Sequence, residues 1–94
     1  MKASHILVKH LYEAEDILRA LGSGKSFEAL ARAFSTCSSA KAGGWLGDLS
    51  KSKIDSDLLD ALEALKIGEI SKPIRTRFGY HIIRREKSEK MSGI

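Results

Sequence analysis

Cysteine and proline each occur only once in this chain, as Cys37 and Pro73. One cysteine cannot form an internal disulfide, and free thiols are typical of reducing compartments, so we expect a cytoplasmic setting. No apolar run approaches the roughly 18 residues that a transmembrane helix requires. The apolar run near the N-terminus is too short for the hydrophobic region of a signal peptide, so we expect neither membrane insertion nor export.

Charge is plentiful but weakly biased, since 16 basic and 12 acidic residues give a formal net charge of +4. Basic side chains concentrate near the C-terminus, in "RTR" and "RREKSEK". They indicate either a solvated surface or a patch for nucleic acid, the ribosome or an acidic partner. Domains that bind nucleic acid usually combine a denser basic face with aromatic residues, which here make up only 6% of the chain. We therefore favour the solvated surface and keep nucleic-acid association as an alternative.

Length and composition indicate one small globular domain. Of the 94 residues, 43% are hydrophobic and 30% are charged, a mixture typical of soluble domains. We assign the domain to residues 1–88. Residues 89–94, which include "KMSGI", lack periodicity and are expected to form a disordered tail.

Hydrophobic periodicity predicts four strands and three helices. Strands are expected at about 3–9, 45–49, 69–76 and 80–85, where apolar residues alternate or cluster between turn residues. The apolar stripes of the three helices are expected to be Leu11, Ala14, Leu18 and Leu21, then Phe27, Leu30, Ala31 and Phe34, and finally Leu58, Ala61, Leu62 and Leu65. Ser26 is a suitable N-cap for the second helix, and the small residues from 35 to 44 predict a loop. The order β-α-α-β-α-β-β predicts an α+β domain whose last two strands form a hairpin.

Two of the three histidines interrupt apolar strands, His5 in "SHILV" and His81 in "FGYHII". If the first and last strands are neighbours in the sheet, the two imidazoles can lie opposite each other and form a hydrogen bond. Each imidazole would then give the other a hydrogen-bond partner. A buried polar group without such a partner costs about 1–3 kcal/mol. The pattern predicts a histidine pair inside the sheet.

Three separated blocks in a fixed order carry a resemblance to a known family. The blocks are "SHILVK", "FEALARAFSTCSSAKAGGWLGDL" and "IGEISKPIRTRFGYHII". Over residues 3–86 the chain resembles the parvulin-type peptidyl-prolyl cis/trans isomerases, or rotamases. The resemblance implies a four-stranded antiparallel sheet surrounded by helices. It also implies an enzyme that acts on X–Pro bonds of peptides or unfolded protein segments without a cofactor or a metal.

The resemblance also assigns roles to particular positions. It implies catalytic roles for His5, Cys37, Thr76 and His81. It implies a proline-binding pocket lined by Leu46, Ile54, Leu58 and Phe78. The family commonly has methionine and phenylalanine where this chain has Ile54 and Leu58, so we expect a pocket that is still apolar but altered in shape.

Simpler interpretations of these residues stay open. His5 and His81 can be a structural pair that fixes the sheet, and Leu58 can be ordinary core. Cys37 could act as a nucleophile, but no Asn or Asp is evidently placed to orient a histidine base. A zinc site formed by Cys37 and the two histidines lacks a clear fourth ligand. Trp45 can belong to the core, to a lid over the site or to an exposed patch.

The expected reaction breaks no bond and therefore needs no nucleophile.

The family that this chain resembles includes members that prefer a phosphorylated residue before proline. These members use an arginine-bearing insertion after the first strand. Here "VKHLYEAED" leaves no room for that insertion, and Glu13, Glu15 and Asp16 would repel phosphate. We expect a monomeric isomerase without a phospho-Ser/Thr preference. The alternative is a chaperone-like module that binds proline-containing segments with weak turnover.

Overall fold

The computed structural model describes residues 2–48 and 56–86. Its elements are β1 (Lys2–Val8), α1 (Leu11–Gly22), α2 (Phe27–Phe34), a 3₁₀ helix (Ser38–Ala42), β2 (Trp45–Asp48), α3 (Ser56–Ala64), β3 (Ile74–Thr76) and β4 (Gly79–Glu86). The predicted order and the α+β class are confirmed, with the 3₁₀ helix inside the expected loop. Within the described ranges, no helix is both long enough and apolar enough to cross a membrane. The predicted tail, residues 89–94, lies outside these ranges.

The four strands form one antiparallel sheet in the order β2-β1-β4-β3. β1 and β4 are the central pair and match along their full length, from Lys2 opposite Glu86 to Val8 opposite Tyr80. Because successive side chains of a strand point to opposite faces, each central strand contributes to two different layers. The first and last strands of the chain are therefore neighbours, which is the condition stated above for the two histidines to meet.

The first face of the sheet is covered by α1 and α2. Ile6, Val8 and Ile82 point from the central strands into a core formed with residues of both helices: Ala14, Ile17, Phe27, Leu30 and Ala31. Full burial of such aliphatic and aromatic side chains contributes about 1.5–3 kcal/mol each. The amphipathic pattern of the two helices is thus explained by this one interface.

The start of α2 is fixed by its cap residue and by Arg84 of β4. Ser26 caps the helix as predicted, because its side chain accepts a hydrogen bond from the backbone N–H of Ala29. Arg84 of β4 pairs with Glu28 at 2.5 Å, and its guanidinium lies 4.6 Å from the centre of the Phe27 ring. The start of α2 is therefore held to the central strand by both charge and packing.

The second face of the sheet is covered by α3. Leu58 and Leu62 of this helix pack with Ala3 of β1 and Ile83 of β4. His5 and His81 alternate with the residues of the first core, so they lie on this second face. The sheet therefore separates the histidines from α1 and α2.

The segment from 35 to 44 closes the edge of β1 beyond the end of β2. Thr36 donates a backbone hydrogen bond to the carbonyl of Leu7 at 2.8 Å, and His5 donates one to the carbonyl of Gly44 at 2.9 Å. Gly44 has a φ of +88°, and a Cβ added there would lie 2.5 Å from the carbonyl oxygen of His5. Both the backbone angle and the space require glycine at this position.

Two details of the predicted elements were wrong. Leu11 and Phe34 are 43% and 56% exposed, because they are the first residue of α1 and the last residue of α2, where the helices extend past the core. The third strand is limited to β3, with a single isolated bridge between Ile70 and Arg84 before it. Pro73 precedes this short edge strand, in agreement with its missing N–H donor.

Replacing Gly44 should destabilise the domain far more than replacing another glycine with the same backbone angle. Gly68 has a φ of +87° and no atom within 4 Å of an added Cβ. Gly68→Ala should therefore lower the free energy of unfolding by only about 1–2 kcal/mol. Gly44→Ala carries the same angular penalty plus the clash with His5, and we expect a loss of about 3 kcal/mol or more. Urea denaturation measures both variants, and equal losses would contradict the close approach at Gly44.

Candidate active site

The centre of the site is a pair of buried histidines on the two central strands. His5 and His81 are only 6% and 4% exposed. Their rings stack with centroids 5.4 Å apart, and the two Nδ1 atoms are 3.3 Å apart. The predicted pair is confirmed, but the expectation that the two residues lie directly opposite each other across β1 and β4 was wrong. His5 lies opposite Ile83, and His81 lies opposite Leu7. The rings meet because diagonal positions of an antiparallel pair are still within reach of long or aromatic side chains.

Each histidine also has a hydroxyl partner at its outer ring nitrogen. Nε2 of His5 lies 3.0 Å from Oγ of Ser39, and Nε2 of His81 lies 2.9 Å from Oγ1 of Thr76. Thr76 in turn accepts a hydrogen bond from the backbone N–H of Phe78 at 3.2 Å. The hydrogen-bonded network therefore runs from the 3₁₀ helix across the sheet to the turn between β3 and β4.

The contact between the two Nδ1 atoms can hold only one hydrogen. In a neutral pair, one imidazole is then the donor and the other the acceptor. This choice determines which ring nitrogens carry hydrogen at the outer ends, and so which way the hydroxyls of Ser39 and Thr76 point. The dipoles at the two ends of the network are consequently coupled.

His5 is uncharged at neutral pH. Burial, and after it the charge of His81, lowers the pKa of His5 from 6.5 to about 4. Both causes act against the protonated ring, since a buried cation loses hydration and is repelled by a neighbouring cation. The site therefore offers a neutral imidazole as a hydrogen-bond donor or acceptor.

Cys37 is partly buried at the start of the 3₁₀ helix. Burial by itself raises the pKa of its thiol, but hydrogen bonds with Ser39 and Ser38 outweigh burial and lower the pKa below its ordinary value. Ser39 thus contacts both the thiol and His5. Cys37 belongs to the same polar network as the histidine pair, while its catalytic role stays a prediction.

The residues predicted to bind proline differ in exposure. Leu46 is half-buried on β2, whereas Leu58 is only 7% exposed and packs in the core under α3. Phe78 is 63% exposed in the turn between β3 and β4, and the guanidinium of Arg77 lies 5.0 Å from its ring centre. Ile54 lies outside the described residues. The pocket assignment stays a prediction, and the packing of Leu58 gives that residue a place in the core.

Two serines of the network were missed by the sequence reasoning. Ser39 contacts His5, and Ser35 accepts hydrogen bonds from the backbone N–H groups of Leu7 and Cys37. Both lie in the segment "STCSSAKAGG", whose small polar residues show no period that distinguishes one from another. Trp45, left open above, is exposed and so does not belong to the core.

A sequence profile of the rotamase family, described as the PPIC-type PPIase domain, matches residues 5–87. This match covers the histidine pair, Cys37 and Thr76 together. The chain belongs to the parvulin-type peptidyl-prolyl isomerases. Isomerase is therefore the enzyme class of this parvulin domain, as the resemblance implied.

Individual relatives agree with the profile. The parvulin domain is 44% identical over 86 residues to the foldase protein PrsA of Bacillus subtilis, covering 90% of this chain and 30% of that protein. The crystal structure of Bacillus subtilis PrsA superposes with a TM-score of 0.90 and 39% identity, over 99% of this chain and 38% of that one. The chain spans about a third of the length of the curated relatives that it matches.

One solved relative has nearly the same extent as this chain. It is NmPin, the parvulin of Nitrosopumilus maritimus, whose solution structure superposes with a TM-score of 0.83 and 44% identity. That superposition covers 93% of this chain and 95% of NmPin. The fold described here therefore also occurs as a parvulin of comparable length.

The lowered pKa of His5 predicts that stability falls with pH in a defined window. The unfolded chain takes up this proton near pH 6.5 and the folded chain only near pH 4. Stability is thus complete above 6.5 and declines as the pH falls toward 4, by about 2 kcal/mol between roughly pH 7 and pH 5. Urea denaturation at several pH values measures the slope.

Two variants test whether this dependence of stability on pH comes from His5. His5→Leu should be less stable than wild type near pH 7 but should show a flatter slope, because the titrating ring is absent. His10→Asn replaces an exposed histidine with a good N-cap residue at the start of α1, and should keep the wild-type slope. The assignment is wrong if His5→Leu loses as much stability between these pH values as wild type does.

Proposed function

We propose that this parvulin domain accelerates rotation of X–Pro bonds in flexible polypeptides without forming a covalent intermediate. The observation that carries the proposal is the buried histidine pair with a hydroxyl at each end. Rotation meets a barrier of about 18–20 kcal/mol because the amide is conjugated, and the uncatalysed exchange takes tens to hundreds of seconds. Since no bond breaks, the domain needs only to bind the twisted amide more tightly than either planar form.

The network supplies fixed dipoles to such a site. Ser39, the two imidazoles and Thr76 hold one another in place before substrate arrives, so they need little reorganisation as charge shifts within the twisting amide. Phe78 adds an exposed ring beside Thr76, on which the prolyl ring can pack. Apolar contact excludes water from the amide oxygen, and loss of that hydration weakens the conjugation that opposes rotation.

The substrates of the proposal are proline-containing segments of unfolded or flexible proteins, without a phospho-Ser/Thr preference. Relatives named foldase support an unfolded client. The link between β1 and α1 consists of Lys9 and His10 alone, which supports the absence of a phosphate-binding insertion.

The proposal includes action as a monomer in the cytoplasm. Cys37 is a free and partly buried thiol whose pKa is lowered. A larger thiolate fraction makes a cysteine more prone to oxidation. A reducing compartment would keep this part of the network intact.

An isomerase assay on short peptides tests the function. The exchange rate of Ala-Ala-Pro-Phe, measured by NMR exchange or by a coupled protease, should rise above the thermal rate in proportion to the concentration of the domain. A peptide with phosphoserine before proline should react no faster than its unmodified serine counterpart. Faster turnover of the phosphopeptide would contradict the absence of a preference. Binding of the peptides without any acceleration would favour the chaperone-like alternative.

Conservative substitutions test the mechanism. Cys37→Ser should keep kcat/KM within about threefold of wild type, because no thiolate attack is required. Thr76→Val removes the hydroxyl shared by His81 and Phe78, and the loss of about 1–3 kcal/mol should lower kcat/KM roughly tenfold. Thr76→Ser keeps the hydroxyl and should restore most of the activity. A folded Cys37→Ser variant without turnover would instead support a nucleophilic cysteine.

A further inference from the structure

A groove lies between α1 and α2, away from the histidine pair. It has a volume of about 410 Å³, and its apolar lining consists of Ile17, Ala20, Leu30 and Phe34. Ile17 and Leu30 are buried members of the first core, whereas the ring of Phe34 is largely exposed. The groove therefore has a floor of packed side chains and an aromatic group that solvent can reach.

This groove and the histidine pair are on opposite sides of the sheet. The core beneath the groove contains Ile6, Val8 and Ile82, which alternate along the strands with His5 and His81. No short peptide bound at the histidines can reach the groove through the sheet. Any ligand of the groove therefore occupies a site separate from the proline site.

Three charged residues complete the lining: Glu13, Asp16 and Lys25. Asp16 is paired with Arg19 on the outer side of α1. Glu13 accepts a hydrogen bond from the backbone N–H of His10, a neutral donor. Throughout residues 2–48 and 56–86, no cation pairs with Glu13 and no anion pairs with Lys25. Among the described residues, the groove thus presents one carboxylate and one ammonium group without an ion-pair partner.

These two charges belong to opposite ends of α1. Glu13 lies in its first turn, and Lys25 follows its last residue, Gly22. At about 1.5 Å per residue, the helix covers roughly 13 Å between Glu13 and Gly22. An extended peptide spans the same length with about four residues. The length of α1 between these two ends is therefore compatible with a short extended segment that has unlike charges at its two ends.

We infer that the groove between α1 and α2 binds an extended polypeptide segment with a basic residue at one end, an acidic residue about four positions away, and apolar residues between them. The basic side chain pairs with Glu13 and the acidic one with Lys25. The intervening apolar side chains pack on Ile17, Leu30 and Phe34. Such a segment in a client protein is held on the side of the sheet opposite the proline site.

A polypeptide fits these features better than a small anion or cation does. A small ion would satisfy one of the two charges and leave the apolar length of the groove uncovered. An extended chain covers all of it and brings both counter-charges on one molecule, so the second contact forms at a high effective concentration. A long client could then present its prolines repeatedly to the other face while this segment stays bound.

A charge-reversal experiment tests the site with defined, proline-free probes. The probes are two fluorescein-labelled pentapeptides with blocked ends, Lys-Leu-Phe-Leu-Glu and Lys-Leu-Phe-Leu-Lys. Fluorescence anisotropy should show that wild type prefers the first peptide. Lys25→Glu should weaken binding of the first peptide at least fivefold and should strengthen binding of the second. NMR shift changes on titration should cluster between residues 13 and 34.

Lys41→Glu is the matched control. It changes the net charge of the domain by the same amount, but Lys41 is exposed on the 3₁₀ helix and does not line the groove. It should leave both affinities within about twofold of wild type. Equal effects of the two reversals, absence of binding to wild type, or shift changes centred on His5 and Thr76 would each overturn the inference. Isomerase activity of Lys25→Glu on a short X–Pro peptide should equal that of wild type, which separates this test from that of the proposed function.

Discussion

The contact between His5 and His81 is the interaction on which the site depends. It lies on the two central strands, so the contact between the rings depends on how β1 and β4 pair. Both outer nitrogens are also satisfied, one by Ser39 and the other by Thr76. Among the described residues, no buried side-chain nitrogen or oxygen lacks a partner. A buried imidazole without such partners would cost about 1–3 kcal/mol, and the complete network avoids this cost.

The partners of the pair come from parts of the chain with very different sequence signals. The strands and helices could be predicted because burial of one face gives them a period, as in α2, where Phe27, Leu30 and Ala31 are all buried. The segment from 35 to 44 has no such period, because backbone contacts to β1 rather than side-chain packing fix its path. Ser39 was therefore not predicted. The roles of Cys37 and Thr76 could be suggested only by resemblance to a family.

The register of the pair shows a similar limit. Strand periodicity shows which residues of one strand share a face with His5 or with His81. That the two histidines meet was expected only on the condition that their strands are neighbours, and the structure meets that condition. Periodicity could not distinguish a directly opposite pair from a diagonal pair, because a shift of two residues leaves both side chains on the same face. The observed diagonal follows from how β1 and β4 match along their whole length, with Leu7 opposite His81.

The packing of Leu58 bears on how this domain would hold a prolyl ring. The resemblance to the family implies that Leu58 stands at a position where phenylalanine is common, and in the structure Leu58 is buried against Ala3 and Ile83. Phe78 then becomes the exposed aromatic ring next to the network. Its backbone N–H is bound to the hydroxyl of Thr76, which also contacts His81. The hydrogen bonds that polarise the site therefore also position the ring that would contact proline, so geometry and electrostatics at this site cannot be varied independently.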